Sequence, residues 1–514
     1  MIAMTLAQVA AATCAAVPAG SADVVVRSVE FDTRRLSPGA LFVALRGERV
    51  DGHTLAGAAA AAGAVAVLGS APIDGDLPLL LARDDDQADP AANTAVLRAL
   101  AALARASVTA LVREHQLQVI GVTGSSGKTS TKDLMAAVLR QSVGDDEVVA
   151  PPESFNNELG HPYTALRADE HTRFLVLELS ARGPGHIEML ATVAPPRIGA
   201  VVNVGSAHLG EFGSVQAIAT AKSELVRALP SAADGGVAIL NADDPLVAAM
   251  AAVTTAEVVT VGRTPQALLR AENVSADAGD RALFTLVTPE GAADVALQVV
   301  GAHQVGNALL AAAVGRAVGM PVAQIAAGLT AATASSKWRM EITELAGGIT
   351  LINDAYNANP HSMKAALRSL SAIGRGRRSW AVLGEMAELG GQTNAAHDEI
   401  GRLVVRLGIE RLIVVQGPGG ATGAAVGGRT GARALHLGAH LEGSWGGESE
   451  LVATVDDAVA ILEDELAEGD VVLVKASRSA GLERVALRLI ADLGVQQPGV
   501  QQPGAAGRPA QDAR

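Results

Sequence analysis

Aromatic side chains are scarce in this chain, with 6 Phe, 2 Tyr and 3 Trp, or 2 %, among 514 residues. That excludes a base-stacking platform of the kind that holds single-stranded nucleic acid. It also leaves the core to Ala, Val and Leu, with 55 Gly allowing close backbone approach. An excess of positive charge is missing too. The 40 Lys+Arg face 54 Asp+Glu, a net charge of −14, so a non-specific grip on nucleic acid or an anionic membrane has no electrostatic basis. A bound anion must then be met by a local positive pocket. The single cysteine, Cys14, excludes an intrachain disulfide, a CxxC redox pair and a thiolate zinc cluster, and the chain reads as cytoplasmic. No transmembrane segment is predicted either, because the Ala-rich stretches 55–68 and 308–319 are short or broken by Gly and Arg316. Residues 1–22 are apolar and end in small residues, but the first basic residue is Arg27. The helical spacing of Leu6, Val9 and Ala10 therefore predicts an amphipathic first helix rather than an export signal.

What the sequence does contain is an alternation of short β-branched runs with Ala/Leu-rich helical stretches. The runs include VVVRSV, ALFVAL, LQVIGV, FLVLEL, IGAVVNV, GVAILNA, SWAVLG and DVVLVKA. This pattern predicts an α/β protein with largely parallel sheets. Content divides it into residues 1–115, ending in a long Ala-rich helix, then 116–332, then 333–495. The QQPG-repeating stretch 496–514 has almost nothing apolar to bury and reads as a disordered tail. Segment 263–296 reads as an accessory β-rich piece.

The sharpest signal is GVTGSSGKTS, Gly121–Ser130, between the strand LQVIGV and the helical KDLMAAVLR. Strand, glycine loop, Lys-Thr and helix form the geometry in which backbone N–H groups wrap a phosphate chain. Lys128 is placed to neutralise phosphate and Thr129 to put its hydroxyl on Mg²⁺. The usual G-x-x-x-x-G-K spacing needs glycine at position 122, which is Val122.

Further signals are individually weak. FLVLEL ends in Glu178, and IGAVVNV is followed by His208 and then by Lys222. In open α/β sheets ligands bind beyond the carboxyl ends of strands, where Glu178 and His208 could meet the metal of the glycine loop. Taken singly, each has a plain structural explanation: a solvated glutamate, a loop histidine, a surface lysine. Asn307 opens an Ala/Leu helix, where an N-cap role accounts for it. The strand before Asp354 runs into a turn rich in Asn and Asp, with Tyr356, Asn357 and Asn359, suited to a ribose, an amide or a peptide as well as to plain turn chemistry. Lys475, Ser477 and Arg478 follow the strand DVVLVKA and suit a carboxylate or phosphate. The GPGG cluster at Gly417–Gly420 is too generic to assign.

In this order the motifs resemble the ATP-dependent Mur ligases over about residues 20–490, closest to their MurF type. The resemblance rests on SVEFDTRRLSPGALFVALRGERVDGH, PESFNNELGHPYTAL, HLGEFGS with AKSEL, and above all DAYNANPHSM. It implies a small N-terminal UDP-binding α/β domain, a central P-loop ATPase domain and a C-terminal Rossmann-like domain. It also implies that Thr123, Gly124, Ser125, Ser126, Gly127, Lys128 and Thr129 hold ATP phosphates, with Asn307 at adenine and Arg339 and Asp354 reaching in from the C-terminal domain. Two Mg²⁺ ions are implied, on Thr129, Glu178, His208 and a carbamylated Lys222. On the substrate side it implies Asp32, Thr33, Arg34 and Arg46 at the uridine diphosphate, with Asn156, Asn157, Ser180, Asn357, Asn359, Lys475, Ser477 and Arg478 also binding substrate. Gln304 departs from the Asn usual at its place in the pattern. The implied reaction joins D-alanyl-D-alanine to UDP-MurNAc-tripeptide through an acyl phosphate, in a monomer without nucleic-acid partner or membrane insertion. The alternatives are a MurE-type or folylpolyglutamate-like ligase, or a P-loop nucleotide switch with no ligase chemistry.

Overall fold

The computed structural model describes residues 1–47, 49–83, 93–205, 209–417, 424–443, 445 and 447–496. The chain opens with a two-residue strand and the helix Leu6–Thr13, whose N-terminus is closed by a reciprocal Thr5–Gln8 capping box. The run VVVRSV does not form one strand. Val25–Val26 pairs antiparallel with Met4–Thr5, while Ser28–Glu30 joins another sheet. That sheet runs Ser28–Glu30, Ala40–Val43, Ala64–Gly69, Leu79–Leu81, all parallel. Helix Thr94–His115 buries Val96, Leu100, Leu103, Val108 and Leu111. It is the one helix among the described residues long and apolar enough to cross a membrane. Its buried face joins Leu41 and Val43 of the first sheet to Leu175 and Leu177 of the second in one core, which accounts for its apolar composition.

The second sheet has nine strands, in the order 291–300, 281–288, 269–276, 257–262, 237–241, 198–201, 118–123, 174–178, 148–149. From 257–262 onward the pairings are parallel. Strands 269–276, 281–288 and 291–300 form an antiparallel meander at one end, so the accessory segment extends the sheet rather than standing apart. Gln118–Thr123 lies between Ile198–Val201 and Phe174–Glu178. Its carboxyl end therefore opens where successive connections leave in opposite directions, the usual ligand crevice of an open α/β sheet.

A third sheet runs 341–345, 349–353, 471–475, 379–383, 411–415, 449–452, antiparallel only at its first pair. Apolar cores cover both of its faces. The third unit is tied to the second through the connecting segment. Lys132 Nζ donates to the Pro151 carbonyl at 2.8 Å and to Ser336 Oγ at 3.3 Å, while the Ser336 N–H donates to Asp133 at 3.2 Å. The two units also touch where Gly210 meets Gly390, so closely that a side-chain carbon on Gly210 would lie 3.1 Å from the Gly390 nitrogen.

Candidate active site

The carboxyl ends of the central and third sheets face one cleft of about 890 Å³. Its floor is the glycine loop. Gly127 has φ +79°, which glycine adopts without strain, and it turns the chain into helix Lys128–Val143 with no side-chain cap. The first N–H groups of that helix are thus left open to the cleft. The other two glycines serve close approach. A side-chain carbon on Gly124 would lie 2.8 Å from Val202, and one on Gly121 would press on Leu225 and Leu179. Val122 is a buried strand residue, so the departure from the usual spacing falls within the sheet. Thr123 points away from the cleft, its hydroxyl donating to the Leu179 carbonyl at 2.8 Å.

Beside the loop lies a polar network on a buried carboxylate. Glu178, at the end of its strand, is 1 % exposed. Thr129 Oγ1 donates to its Oε2 at 3.0 Å and Asn156 Nδ2 to its Oε1 at 2.8 Å. Ser154 Oγ lies 3.1 Å from Thr129 Oγ1 and accepts from Arg339 Nη2 at 2.8 Å. Arg339 thus reaches across from the third unit, its guanidinium 4.3 Å from the ring centre of Tyr356. Lys128 Nζ donates to the Gly124 carbonyl at 2.8 Å. Desolvation pushes its ammonium below the ordinary lysine value, opposed by the nearby Glu178 carboxylate.

Lys222 lies on helix Val215–Arg227, buried, with no hydrogen-bond or ion-pair partner among the described residues. Burial pushes it well below the ordinary lysine value, and the charge of Lys128 adds to that. Two residues on, Glu224 accepts from the N–H groups of Gly185, Ile187 and Glu188 at 2.7–3.1 Å, fixing the helix that follows Ser180. His208 lies outside the described residues, as do residues 418–420 of the GPGG cluster and the tail from residue 497. Among the described residues no three His, Cys, Asp or Glu side chains gather around one point.

Asn307 is not an N-cap. The helix begins at Gln304 after the positive-φ turn at Gly301, which places Asn307 one turn inside, bonded to Gln304 at 2.8 Å. There its side chain abuts the glycine loop, 2.9 Å from where a carbon on Gly127 would stand. Asp354 pairs with Lys475 at 2.6 Å, both largely enclosed. Lys475 also donates to the Asn357 carbonyl at 2.8 Å, which makes it a brace under the Asn-rich turn. Desolvation pulls Lys475 below its ordinary value and Asp354 opposes it. Asn359 caps the helix that starts at Pro360, its Oδ1 accepting from the Ser362 N–H. Asn157, Ser180, Ser477 and Arg478 line the same cleft. Ser477 Oγ accepts from the Ala387 N–H, while Arg478 pairs with Glu483.

Asp32, Thr33, Arg34 and Arg46 are not among the residues lining this cleft. Arg34 is 87 % exposed and turns back on Asp32 through two bonds of 2.9 and 2.7 Å, holding that carboxyl at about 2. Arg46 lies 3.7 Å from Asp51. Sequence reasoning missed Ser154 and Asn203. Ser154 carries no local signal. Asn203 is a polar residue just past the apolar strand Ile198–Val201, and that interruption was the available clue.

Comparison with known proteins bears on the same regions. Family models described as "Mur ligase family, catalytic domain", "Mur ligase middle domain" and "Mur ligase, glutamate ligase domain" match residues 25–119, 122–315 and 338–478. The chain is similar to the UDP-N-acetylmuramoyl-tripeptide--D-alanyl-D-alanine ligase of Mycobacterium bovis, with 50 % identity over 96 % of this chain and 98 % of that one. The enzyme of the same name from Escherichia coli is 36 % identical over 90 % of this chain and 94 % of its own. Among solved structures, MurF from Acinetobacter baumannii superposes with a TM-score of 0.78 at 27 % identity, covering 95 % of this chain and 99 % of that one. MurF from Thermotoga maritima in complex with ADP gives a TM-score of 0.70 at 25 % identity over 91 % and 98 %.

Proposed function

The chain belongs to the Mur ligase family, and from that premise we propose how its cleft carries out the reaction named for its relatives. It is an ATP-dependent ligase of peptidoglycan precursor synthesis, joining D-alanyl-D-alanine to UDP-MurNAc-tripeptide. A carboxylate does not condense with an amine in water without activation. The terminal carboxylate of the tripeptide therefore attacks the γ-phosphorus of ATP, forming a C–O–P bond as ADP leaves. The amine of D-alanyl-D-alanine attacks the acyl carbon, a proton leaves the nitrogen, and phosphate departs as the amide forms.

The observation that carries this reading is the network Thr129–Glu178–Asn156–Ser154–Arg339, which joins the glycine loop to a residue of the third unit across the cleft. Thr129 and Glu178 are hard oxygen donors side by side at the loop, and they fit Mg²⁺. When bound, Mg²⁺ neutralises negative charge gathering on the transferring phosphoryl group. Lys128 and the open N–H groups of its helix act on the same charge without reorganisation. Arg339, anchored on Ser154, supplies a cation from the opposite wall and makes the site complete only when the units are together. Enclosure excludes water that would hydrolyse the acyl phosphate.

Lys222 fits a carbamate. It is buried and has no partner among the described residues, and its neutral amine can attack CO₂, forming an N–C bond and releasing one proton. The product is a carboxylate-like oxygen donor in place of the amine. With His208 it would hold a second Mg²⁺. We assign adenine to the side of Asn307, the tripeptide end to Asn156, Asn157 and Ser180, and the dipeptide to the Asn357, Ser477 and Arg478 wall. The uridine diphosphate belongs to the first unit, with Asp32, Thr33, Arg34 and Arg46. Residues 1–115, 116–332 and 333–495 act as three binding units in a cytoplasmic monomer. A phosphate-release assay with each substrate omitted in turn tests the reading.

A further inference from the structure

We propose that Asn203 is a positioning residue that sets which N–H groups of the glycine loop face the nucleotide phosphates. Its Oδ1 accepts from two successive amides, Ser125 N and Ser126 N, each at 3.0 Å. Its Nδ2 donates to the Ser126 carbonyl at 3.1 Å and to Ser126 Oγ at 3.2 Å. The backbone closes the same junction. The Asn203 carbonyl accepts from Ser125 N at 3.1 Å, and Ser125 Oγ accepts from Gly205 N at 2.9 Å. One carboxamide therefore meets both lone pairs' worth of donors and both of its own N–H groups on a single two-residue stretch.

The consequence is a division within the loop. The amides of Ser125 and Ser126 are turned onto Asn203, while those of Gly127, Lys128, Thr129 and Ser130 have no acceptor among the described residues. These four follow one another around the positive-φ turn at Gly127, where consecutive N–H groups form an anion-binding concavity. Without the Asn203 side chain the Ser126 amide would lose its acceptor and be free to rotate inward, the Ser125 amide would keep only the backbone carbonyl, and the concavity would have no fixed register. The tight seat of Gly124 against Val202 and Asn203 is the steric half of the same device. Only Asn meets this pattern. Asp keeps the acceptors, loses both donors and sets a negative charge beside the phosphates, and Ala loses every side-chain contact.

The proposal rests on the nucleotide reading of the cleft, and its test separates the two. Binding of ADP and of adenosine is measured by calorimetry on the full chain and on Asn203→Ala and Asn203→Asp, with UDP-MurNAc-tripeptide binding and thermal unfolding in parallel. ADP affinity should fall at least about tenfold in both variants, while adenosine and UDP-MurNAc-tripeptide bind as in the parent. Should Asn203→Ala fail to fold, Asn203→Asp, of the same shape, gives the same reading. ADP bound at parental affinity by a folded variant overturns the proposal, as does an equal loss for adenosine, which would mark a general structural role. Failure of the parent chain to bind ADP would instead overturn the nucleotide reading.

Discussion

The hydroxyl of Thr129 lies 3.0 Å from Oε2 of Glu178, although 49 residues separate them in the chain. The first residue sits at the start of the helix after the glycine loop and the second at the end of the adjacent strand. Parallel pairing of the two strands brings their carboxyl ends together. Glu178→Gln keeps the shape and the Thr129 contact but removes the charge. Turnover should fall at least about a hundredfold, with thermal stability near that of the parent. Parental turnover in Glu178→Gln would remove the carboxylate from the mechanism.

The buried Asp354–Lys475 pair gives a prediction that separates structure from chemistry. Lys475→Met leaves Asp354 uncompensated and should destabilise the fold by about 3 kcal/mol, measured by denaturant unfolding. Replacing both, with Asp354→Leu and Lys475→Met, should recover much of that stability and none of the activity. Recovery of activity in the double variant would assign the pair a purely structural role.

Lys222→Ala should abolish ligation, and formate or acetate should restore part of it by replacing the lost carboxylate. In the parent, isotopically labelled bicarbonate should give a carbamate carbonyl signal by NMR that Lys222→Ala lacks. Full activity in Lys222→Ala would exclude the carbamate.

His397 predicts an acid-sensitive stability. Its Nε2 accepts from the Met386 N–H at 2.9 Å, so the ring proton sits on Nδ1, which donates to the Thr393 carbonyl at 2.7 Å. Burial pulls its pKa below the ordinary 6.5. A depressed folded value means that the stability is present above pH 6.5 and is lost as pH falls through the folded pKa. Below pH 6.5 the unfolding temperature of the parent should drop more steeply than that of His397→Gln, which takes up no proton. Parallel slopes would contradict this role. Met386 adjoins Ala387, Glu388 and Leu389 of the cleft wall, so activity should share the same acid limb.

The strands and the glycine loop were legible because their signals are local: an apolar run, a glycine that must take positive φ, a Lys-Thr at a helix start. Asn307 shows where local reasoning fails. Asn before an apolar stretch reads as a cap, but the turn at Gly301 starts the helix earlier and sends Asn307 against Gly127. Ser154 and Asn203 were illegible for a related reason. Each acquires its place only through a partner 25 to 185 residues away. Arg34 was legible as a cation, but its neighbour Asp32 already engages it.

Phosphate release measured with ATP, UDP-MurNAc-tripeptide and D-alanyl-D-alanine, together and with each omitted, tests the central claim most directly. The account predicts sustained release only with all three, with one amide formed per phosphate. Equal release with nucleotide alone, or with a single amino acid and a shorter precursor peptide in place of these substrates, would contradict it.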